Sequence, residues 1–403
     1  MHNRYRSSLP SGEDRVVDQE SAALAGAGWE VERFERLSDQ IPGLPLAQKL
    51  AIPARVVWNP SAARELSRTI ESFRPDIVHV HNVYPLLSPS VLQACRNRAP
   101  VVVTFHNYRP ICPTGELFRA GSRCTDCVGR VPVAAVRHGC YRGSTIATAP
   151  LAVASLVQRR LWRSVPSAYV FLSAAQRQLF STVGLPGERC FVKGNLVHPS
   201  VGTTPTESVV AYVGRLDERK GVRLLMDAWD RCQAADEGGP LRLVVAGAGP
   251  LEPLVQSWAE QHSNVEFLGL LGREDCSTLM QRARAVVVPS TYDEPFGLVV
   301  AESMAAGTPP IAPAHGAFPE LISDGVDGVL FPSGDADALS GLLTRVGRNP
   351  AWFDGLGRAA KRTHARRFAP EHNVAELVDI YRFAIDHPVG IGRTPELVTA
   401  GSA

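Results

Sequence analysis

Short runs of aliphatic, often β-branched residues alternate along the chain with longer segments whose apolar residues recur at helical spacing. This alternation is typical of α/β proteins, in which helices cover the faces of a mostly parallel sheet. A segment rich in Pro, Ser, Thr and Gly, His198–Ser208, separates two groups of such runs and indicates a linker. The runs predict strands at Val31–Arg36, Ile77–His81, Val101–His106, Ala168–Leu172 and Phe191–Lys193, and then at Val209–Val213, Leu241–Ala246, Val265–Leu268, Ala285–Pro289 and Val329–Phe331.

The length supports the same division, because 403 residues exceed what one hydrophobic core usually holds. We expect an α/β protein with two doubly wound, Rossmann-like domains, 1–200 and 201–370. A content of 45% hydrophobic and 20% charged residues fits an ordinary globular protein and excludes disordered or fibrous classes. The longest apolar stretch, near Thr145–Val157, is shorter than a membrane span, and the chain shows no leader pattern. We therefore expect a soluble cytoplasmic protein.

The net charge of +2 conceals an asymmetry between the two halves. Residues 1–200 contain 24 Lys and Arg against 14 Asp and Glu, a balance of +10, whereas the remainder contains 42−24=18 against 40−14=26, a balance of −8. A basic first half suggests an anionic partner such as a lipid headgroup, a phosphate-carrying acceptor or nucleic acid. The alternative is a solvated basic face without a partner.

Two carboxylates flank an apolar run in the segment "STYDEPFGLVVAESMAAG". Glu294 is predicted to lie in the loop after a buried strand, and Glu302 about two turns inside the following helix. Between them, the backbone N–H groups of Phe296, Gly297 and Leu298 would open the helix, where phosphate binds readily. Because a carboxylate accepts two hydrogen bonds side by side, each acid suits a vicinal diol, and a nucleotide diphosphate sugar carries a diol at each end. The alternative is a helix cap and a surface acid.

Two further segments carry chemistry of the same kind. In "YVGRLDERKG", Arg215 follows a strand and Lys220 lies five residues later, so the two cations could neutralise a diphosphate without a metal. A solvated basic turn is the alternative. In "VVAGAGPLE", Gly247 and Gly249 would allow the backbone to approach a ligand closely, although this pattern alone is weakly specific.

Taken in order, these motifs resemble a known family. "GRLDERKG", "AGAGPLE", "VEFLGLL", "VPSTYDEPFGLVVAESMAAGTPPIA" and "ELISDGVDGVLFPSGD" look like the carboxy-terminal domain of glycosyltransferase family 4, whose members are retaining enzymes with the two-domain GT-B fold. The first half matches less sharply, through "PDIVHVHN", "VVVTFHNYRPICP" and "SGED". The resemblance thus covers nearly the whole chain.

For the second domain, the resemblance implies a role for each motif residue. Arg215 and Lys220 would hold the donor diphosphate, and Glu302 would hold the ribose. Glu294 would contact the transferred sugar, with the backbone of Phe296–Leu298 close to sugar and phosphate.

In the first domain, His106 corresponds to the family's active-site histidine, which lies over the sugar. Gly12 corresponds to the glycine-rich loop near the phosphates, although Ser11 replaces one of the paired glycines usual there. His315 likewise stands where a second glycine is common. The resemblance also implies that the helix at 371–386 crosses back to the first domain, and 387–403 is predicted as a flexible tail.

The implied reaction is retaining transfer of a sugar from a nucleotide diphosphate sugar to an acceptor hydroxyl, in cell-wall, capsule, polysaccharide or glycolipid synthesis. The acceptor would be a saccharide, a lipid-linked compound or a small molecule, and nucleic acid is not an expected partner. Peripheral membrane contact is compatible with the basic first half. No metal is required, since the leaving diphosphate could itself take the acceptor proton. A GT-B epimerase and a non-catalytic sugar-nucleotide-binding protein are the alternative functions.

Two features lie outside this scheme. Cys112, Cys124, Cys127 and Cys140 follow a Cys-x11-Cys-x2-Cys-x12-Cys spacing, which suits a structural zinc site in a long loop; free thiols are the alternative. In addition, family members carry an apolar strand before the equivalent of "HNRYR", and this chain begins there. We therefore expect the first strand to be missing and the assigned start to be wrong.

Overall fold

The computed structural model describes residues 1–5, 11–202, 204–234 and 241–390. Two parallel sheets, each flanked by helices, dominate the fold, as the sequence pattern predicts. The strands are β1 (His2–Arg4), β2 (Glu35–Leu37), β3 (Val78–Val80), β4 (Val101–Phe105), β5 (Phe118–Arg119), β6 (Ser122–Arg123), β7 (Ala168–Phe171), β8 (Cys190–Val192), β9 (Val209–Val213), β10 (Arg242–Ala246), β11 (Val265–Gly269), β12 (Ala285–Val287), β13 (Pro310–Pro313) and β14 (Val329–Phe331).

The helices begin with a capping residue in several cases, such as Asn59, Ser144 and Asp335. They are α1 (Gly12–Gly26), α2 (Leu46–Val57), α3 (Pro60–Phe73), α4 (Ser90–Cys95), α5 (Val133–Arg137), α6 (Thr145–Ser164), α7 (Ala174–Leu179), α8 (Val222–Ala234), α9 (Glu252–Ala259), α10 (Arg273–Arg282), α11 (Leu298–Ala306), α12 (Phe318–Leu321), α13 (Ala336–Arg348), α14 (Pro350–Arg367) and α15 (Pro370–Asp386).

The second domain contains a six-stranded parallel sheet in the order β11-β10-β9-β12-β13-β14. The strand order reverses between β9 and β12, and open α/β sheets bind ligands outside the carboxyl ends of their strands at such a point. β13 has no counterpart among the predicted strands; its sequence "PIAP" contains two prolines, which are uncommon inside strands. Both motif loops, which follow β9 and β12, leave the sheet at the reversal.

The first domain contains the parallel sheet β3-β4-β7-β8, and β1 pairs with β2 beside it. The expected absence of a first strand differs from the structure, since "HNR" itself forms β1. Asn3 N donates to Asn82 O at 2.8 Å, and His81 N donates to Met1 O at 3.1 Å, so the segment also bonds to the chain after β3. The sequence analysis did not predict a strand here because these polar residues lack the apolar pattern of a strand.

The last helix packs on the first domain. Leu377, Ile380, Tyr381 and Ala384 of α15 share a hydrophobic cluster with residues of β4 and β7, including Val102. The Tyr381 hydroxyl also lies 2.8 Å from Nδ1 of His79 on β3. The chain thus returns to its first domain after completing the second. Of the predicted tail at 387–403, the part from 391 onward lies outside the described residues.

Candidate active site

Glu294 lies at the centre of a polar cluster after β12. Its Oε1 accepts hydrogen bonds from Lys220 Nζ at 2.6 Å and Ser290 Oγ at 2.8 Å, and its Oε2 accepts one from the Tyr292 hydroxyl at 3.0 Å. The residue is only 6% exposed. Burial alone would raise the pKa of Glu294, but Lys220 and the two hydroxyl donors lower it below its ordinary value. Glu294 is therefore a fixed carboxylate, and the sequence analysis did not identify Ser290 and Tyr292 as its partners.

Lys220 and Arg215 reach the same region from the loop after β9. Asp217 accepts hydrogen bonds from the backbone N–H groups of Arg219 and Lys220, at 3.1 and 3.2 Å, and so caps the short 3-10 helix that presents Lys220. The Lys220 ammonium has three donor positions and can hold a ligand oxygen in addition to Glu294. The Arg215 side chain is 46% exposed, and its Nε lies 3.3 Å from Asp217. Arg215 is thus available to a ligand in the cleft.

The glycines of "AGAG" also have a packing role that the sequence analysis did not predict. A Cβ on Gly247 would lie 1.8 Å from the Gly214 carbonyl oxygen, and one on Gly249 would lie 2.4 Å from that of Leu216. The two glycines therefore allow the turn after β10 to pack against the loop that carries Arg215. The close approach is between two backbone segments of the domain.

The start of α11 faces the first domain. Gly297 has φ +97°, a left-handed conformation that suits glycine, and a Cβ there would lie 2.8 Å from the Phe318 ring. Phe296 is buried, and Leu298 lies so close to Gly12 that a Cβ on Gly12 would be 2.8 Å from its Cδ1. The predicted donor residues at the beginnings of α1 and α11 are thus brought together across the cleft.

Glu302 lies one turn inside α11, since the helix begins at Leu298, and not about two turns inside as predicted. Its carboxylate forms an ion pair with Arg15 of α1, from the opposite side of the cleft. Burial raises the pKa of Glu302 despite the nearby Arg15 and Arg273. The sequence analysis did not identify Arg15, because no local pattern connects α1 with a helix almost 300 residues later.

His106 follows β4 and belongs to a chain of buried histidines. Its Nε2 lies 2.9 Å from Nδ1 of His81, and the two rings stack with centroids 5.2 Å apart. Burial lowers the pKa of His106 to about 3 and that of His81 well below its ordinary value, so both rings are neutral at pH 7. In a neutral pair, one nitrogen must donate and the other must accept.

The surroundings of His81 favour one of the two proton arrangements. Glu20 Oε2 lies 4.0 Å from Nε2 of His81, and Glu20 Oε1 bonds to Lys193 Nζ at 2.8 Å. The carboxylate favours a proton on Nε2 of His81, which leaves Nδ1 to accept from Nε2–H of His106. Nδ1 of His106, which is buried and has no partner in the described part of the chain, is then a hydrogen-bond acceptor.

Ion pairs join the two domains around this region. Arg219 NH1 lies 2.6 Å from Glu116 Oε1, and Arg123 Nε lies 2.5 Å from Asp293 Oδ2. Glu116 and Arg123 belong to the long segment between β4 and α6, so that segment contacts both motif loops of the second domain. Within the second domain, His315, which stands where the family commonly has a glycine, places its Nε2 3.0 Å from the Tyr292 carbonyl oxygen.

The four clustered cysteines are free thiols in this same segment. Burial, with smaller contributions from Cys112, Cys140 and Cys124, raises the pKa of Cys127 to about 11, which shows that the four lie near one another. Over the described ranges, however, the one group with three potential metal-ligating atoms within 4.8 Å of one another is Glu20, His79 and His81. The thiols are therefore not assembled as a tetrahedral set.

The remaining geometry defines a class of protein. Two lobes, each built on a parallel sheet, face each other at the carboxyl ends of their strands, with a carboxylate, a lysine and an arginine at one rim and a histidine at the other. Solved GT-B glycosyltransferases share this architecture. The structure of HepE from Anabaena in complex with UDP superposes with a TM-score of 0.64 at 20% identity, covering 94% of this chain and 99% of that one. Sucrose-phosphate synthase from Thermosynechococcus elongatus gives 0.66 at 19% identity, covering 94% of each chain.

Sequence comparison identifies the family. The model "Glycosyl transferases group 1" matches residues 197–364, and "Glycosyl transferase 4-like domain" matches residues 11–195. The chain belongs to this group 1, family 4-like set of glycosyltransferases. The predicted family and the GT-B fold are thereby confirmed.

Two curated relatives show how far the similarity extends. Phosphatidyl-myo-inositol mannosyltransferase from Mycolicibacterium smegmatis is 26% identical over 374 residues, 89% of this chain and 87% of the relative. D-inositol 3-phosphate glycosyltransferase from Mycobacterium avium is 35% identical over 212 residues, 50% of this chain and 46% of the relative. The matched part thus spans about half the length of the latter. Within the described part of the chain, none of the helices is both long and apolar enough to cross a membrane.

Proposed function

We propose that this protein transfers a sugar from a nucleotide diphosphate sugar to an acceptor hydroxyl with retention at the anomeric carbon. The observation that carries the proposal is the Glu294 cluster, in which Lys220, Ser290 and Tyr292 hold a buried carboxylate at the start of α11, beside the exposed Arg215. The proposed donor domain is 201–370. The acceptor-side domain is 1–200, completed by the helix at 371–386.

The proposed roles follow from position and charge. Arg215 and Lys220 bind the diphosphate, Glu302 accepts from the ribose hydroxyls, and Glu294 accepts from the hydroxyls of the sugar. The backbone at Phe296–Leu298 lies beside sugar and phosphate, and Gly12 lies near the phosphates from the other domain. Nδ1 of His106 accepts a further sugar hydroxyl. Arg15 must release Glu302 when the ribose binds.

In the reaction, the bond from the anomeric carbon to the diphosphate oxygen breaks while the acceptor oxygen forms its bond on the same face. The acceptor proton passes to an oxygen of the departing diphosphate. Arg215 and Lys220 stabilise the charge that develops on that group, so positioning and electrostatics supply the rate enhancement. The residues present supply both cations, and the proposed chemistry is metal-independent.

The test is a panel of UDP-, GDP-, ADP- and dTDP-sugars, with binding followed by thermal shift and slow donor hydrolysis by product analysis. UDP is the nucleotide in the HepE structure. We expect one nucleotide to stabilise the protein and its sugar to be released as the retained anomer. Release of an altered sugar nucleotide without acceptor would instead indicate an epimerase. Binding without hydrolysis or transfer would indicate a non-catalytic binding protein.

We also propose peripheral contact with an anionic membrane. Leu46 and Leu50 of α2 are each 72% exposed, and Ile146 of the neighbouring α6 is 85% exposed. The carboxyl-terminal part of α6 adds Arg159 and Arg160, and this combination of apolar and basic residues suits a headgroup boundary. One relative is named phosphatidyl-myo-inositol mannosyltransferase, which is consistent with a lipid-linked acceptor. Flotation with anionic vesicles should recover the protein, and Leu46→Asp with Leu50→Asp should abolish recovery without lowering stability.

A structural zinc ion at Cys112, Cys124, Cys127 and Cys140 is a further proposal, for the segment between β4 and α6. The four thiols lie near one another, but a zinc ion would have to draw the sulfurs closer to reach its bond length of about 2.3 Å. Metal analysis of freshly purified protein should give one zinc per chain, lost in Cys124→Ser with Cys127→Ser. Protein free of zinc but fully folded would contradict the proposal.

A further inference from the structure

Three buried polar atoms without hydrogen-bond partners among the described residues lie around Arg109, three residues beyond His106. They are Oε1 of Glu13, the hydroxyl of Tyr84 and Nε of Arg109 itself. The Arg109 guanidinium carbon lies 4.8 Å from the centre of the Tyr84 ring, and the Tyr5 hydroxyl donates to Oε2 of Glu13 at 3.2 Å. Buried polar groups almost always have partners, so three unsatisfied atoms in one cluster indicate a missing ligand.

The charge of Arg109 points to the kind of ligand. Arg109 donates to the Pro113 carbonyl oxygen at 3.2 Å and stacks on Tyr84, and within the described ranges no carboxylate lies within 4.0 Å of its guanidinium. Arg109 is partly buried, and a guanidinium that loses water without gaining an ion pair is destabilised, whereas a phosphate satisfies its donors two at a time. Tyr84 is 6% exposed, and its hydroxyl can donate to the same anion.

The position of the cluster connects it with acceptor binding. Arg109 lies on the loop that carries His106, and Glu13 follows Gly12 at the edge of the cleft, opposite Leu298. Glu13 Oε1 can accept a hydroxyl of the same ligand. Burial raises the pKa of Glu13, which weakens its repulsion of a neighbouring anion.

We propose that Tyr5, Glu13, Tyr84 and Arg109 form the acceptor subsite, and that the acceptor is a hydroxyl compound carrying a phosphate, which Arg109 and Tyr84 bind while Glu13 accepts one of its hydroxyls. This inference rests on the proposed transferase function for its role in catalysis. The affinity of the cluster for phosphate does not depend on that function.

The first experiment therefore measures binding of inorganic phosphate by isothermal titration. We expect Arg109→Gln to weaken binding at least tenfold. Tyr84→Phe should weaken it several-fold while raising the melting temperature of the free protein, because it removes an unsatisfied hydroxyl and keeps the ring under Arg109. The matched control is Arg215→Gln, which removes a donor-site cation. Loss of phosphate binding in Arg215→Gln, with normal binding in Arg109→Gln, would overturn the proposal.

The second experiment compares acceptors with and without phosphate. As a soluble probe, sn-glycerol 3-phosphate is compared with glycerol, and as a lipid probe, phosphatidylinositol vesicles are compared with galactosyl diacylglycerol vesicles. In at least one of these two pairs, transfer to the phosphate-carrying acceptor should exceed transfer to the neutral acceptor at least tenfold. Arg109→Gln should abolish that preference while donor hydrolysis without acceptor stays at the wild-type rate. Equal use of neutral acceptors would overturn the acceptor assignment. If the wild-type protein does not hydrolyse a donor at all, the result would instead count against the transferase function.

Discussion

The two faces of the cleft differ in how their polar groups are satisfied. On the second domain, Glu294 has three hydrogen-bond donors and Lys220 is positioned by a capped turn. Among the described residues of the first domain, Nδ1 of His106 and three polar atoms around Arg109 are buried without hydrogen-bond partners, and on the second domain Nδ1 of His315 is in the same state. Glu294 and Lys220 are thus positioned before any ligand arrives, whereas the groups around Arg109 are the ones that a ligand would complete.

The strongest test of a preorganised donor side is Glu294→Gln. The amide keeps the shape but removes the charge that pairs with Lys220, and we expect kcat/KM for transfer to fall by on the order of 10² to 10³, the usual cost of one preorganised electrostatic contact. Steady-state kinetics with saturating acceptor measures the effect. Asp335→Asn, at a cap remote from the cleft, should leave kcat/KM within about twofold because Asn also caps helices. A fall of less than tenfold for Glu294→Gln would show that the cluster is structural.

Substitution of a glycine that packs behind the donor loops should have a large effect as well, in this case on stability. Gly247→Ala places a Cβ 1.8 Å from the Gly214 carbonyl oxygen, so the loop that carries Arg215 must shift. We expect the free energy of unfolding to fall by about 3 kcal/mol, in the range of severe backbone substitutions. Chemical denaturation gives the value. Gly187→Ala, where a Cβ would meet open space, should change it by less than about 0.5 kcal/mol.

The histidines of the first domain predict a dependence of stability on pH. Burial lowers the folded-state pKa of His106 to about 3, and that of His81 is lowered too, against an unfolded value of about 6.5. Their contribution to stability is complete above about pH 6.5 and is lost as the pH falls toward 3. At pH 5 the free energy of unfolding should be lower by at most about 2 kcal/mol per histidine. His106→Asn should flatten the profile measured by denaturation, and an unchanged slope would refute the assignment.

The ion pair of Arg15 with Glu302 should have the smallest effect. Arg15 pairs with Glu302 in the unliganded protein, and in the proposed complex the ribose must displace it. Arg15→Gln should therefore tighten donor binding by no more than about threefold, the scale of a partly exposed pair. Titration with the donor found in the panel measures the change. Arg123→Gln, whose partner Asp293 lies beside the proposed sugar contact, is a matched removal of an ion pair between domains. Weaker donor binding in Arg15→Gln would mean that Arg15 contacts the donor itself.

Local sequence predicted the second domain better than the first. The strands that flank the motif loops and the helix that carries Glu302 follow from apolar runs and glycine positions within a few residues of one another. In contrast, His81 becomes the partner of His106 only through the sheet, Glu20 approaches His81 only when α1 packs beside it, and Arg15 meets Glu302 only when the domains face each other. The packing of Gly247 and Gly249 against neighbouring backbone could not be predicted, because a sequence can indicate that a glycine is approached closely but not which group approaches it.

The segment between β4 and α6 has one further consequence. Its Glu116 and Arg123 hold the rim of the donor lobe through charges that remain partly open to water, with Glu116 43% and Arg123 54% exposed. Mobile ions screen such attractions beyond about 8 Å at physiological ionic strength, and more strongly at higher salt. The two domains should therefore separate more readily in concentrated salt, and a bound nucleotide should dissociate faster there, while the ion pair of Lys220 with the buried Glu294 persists.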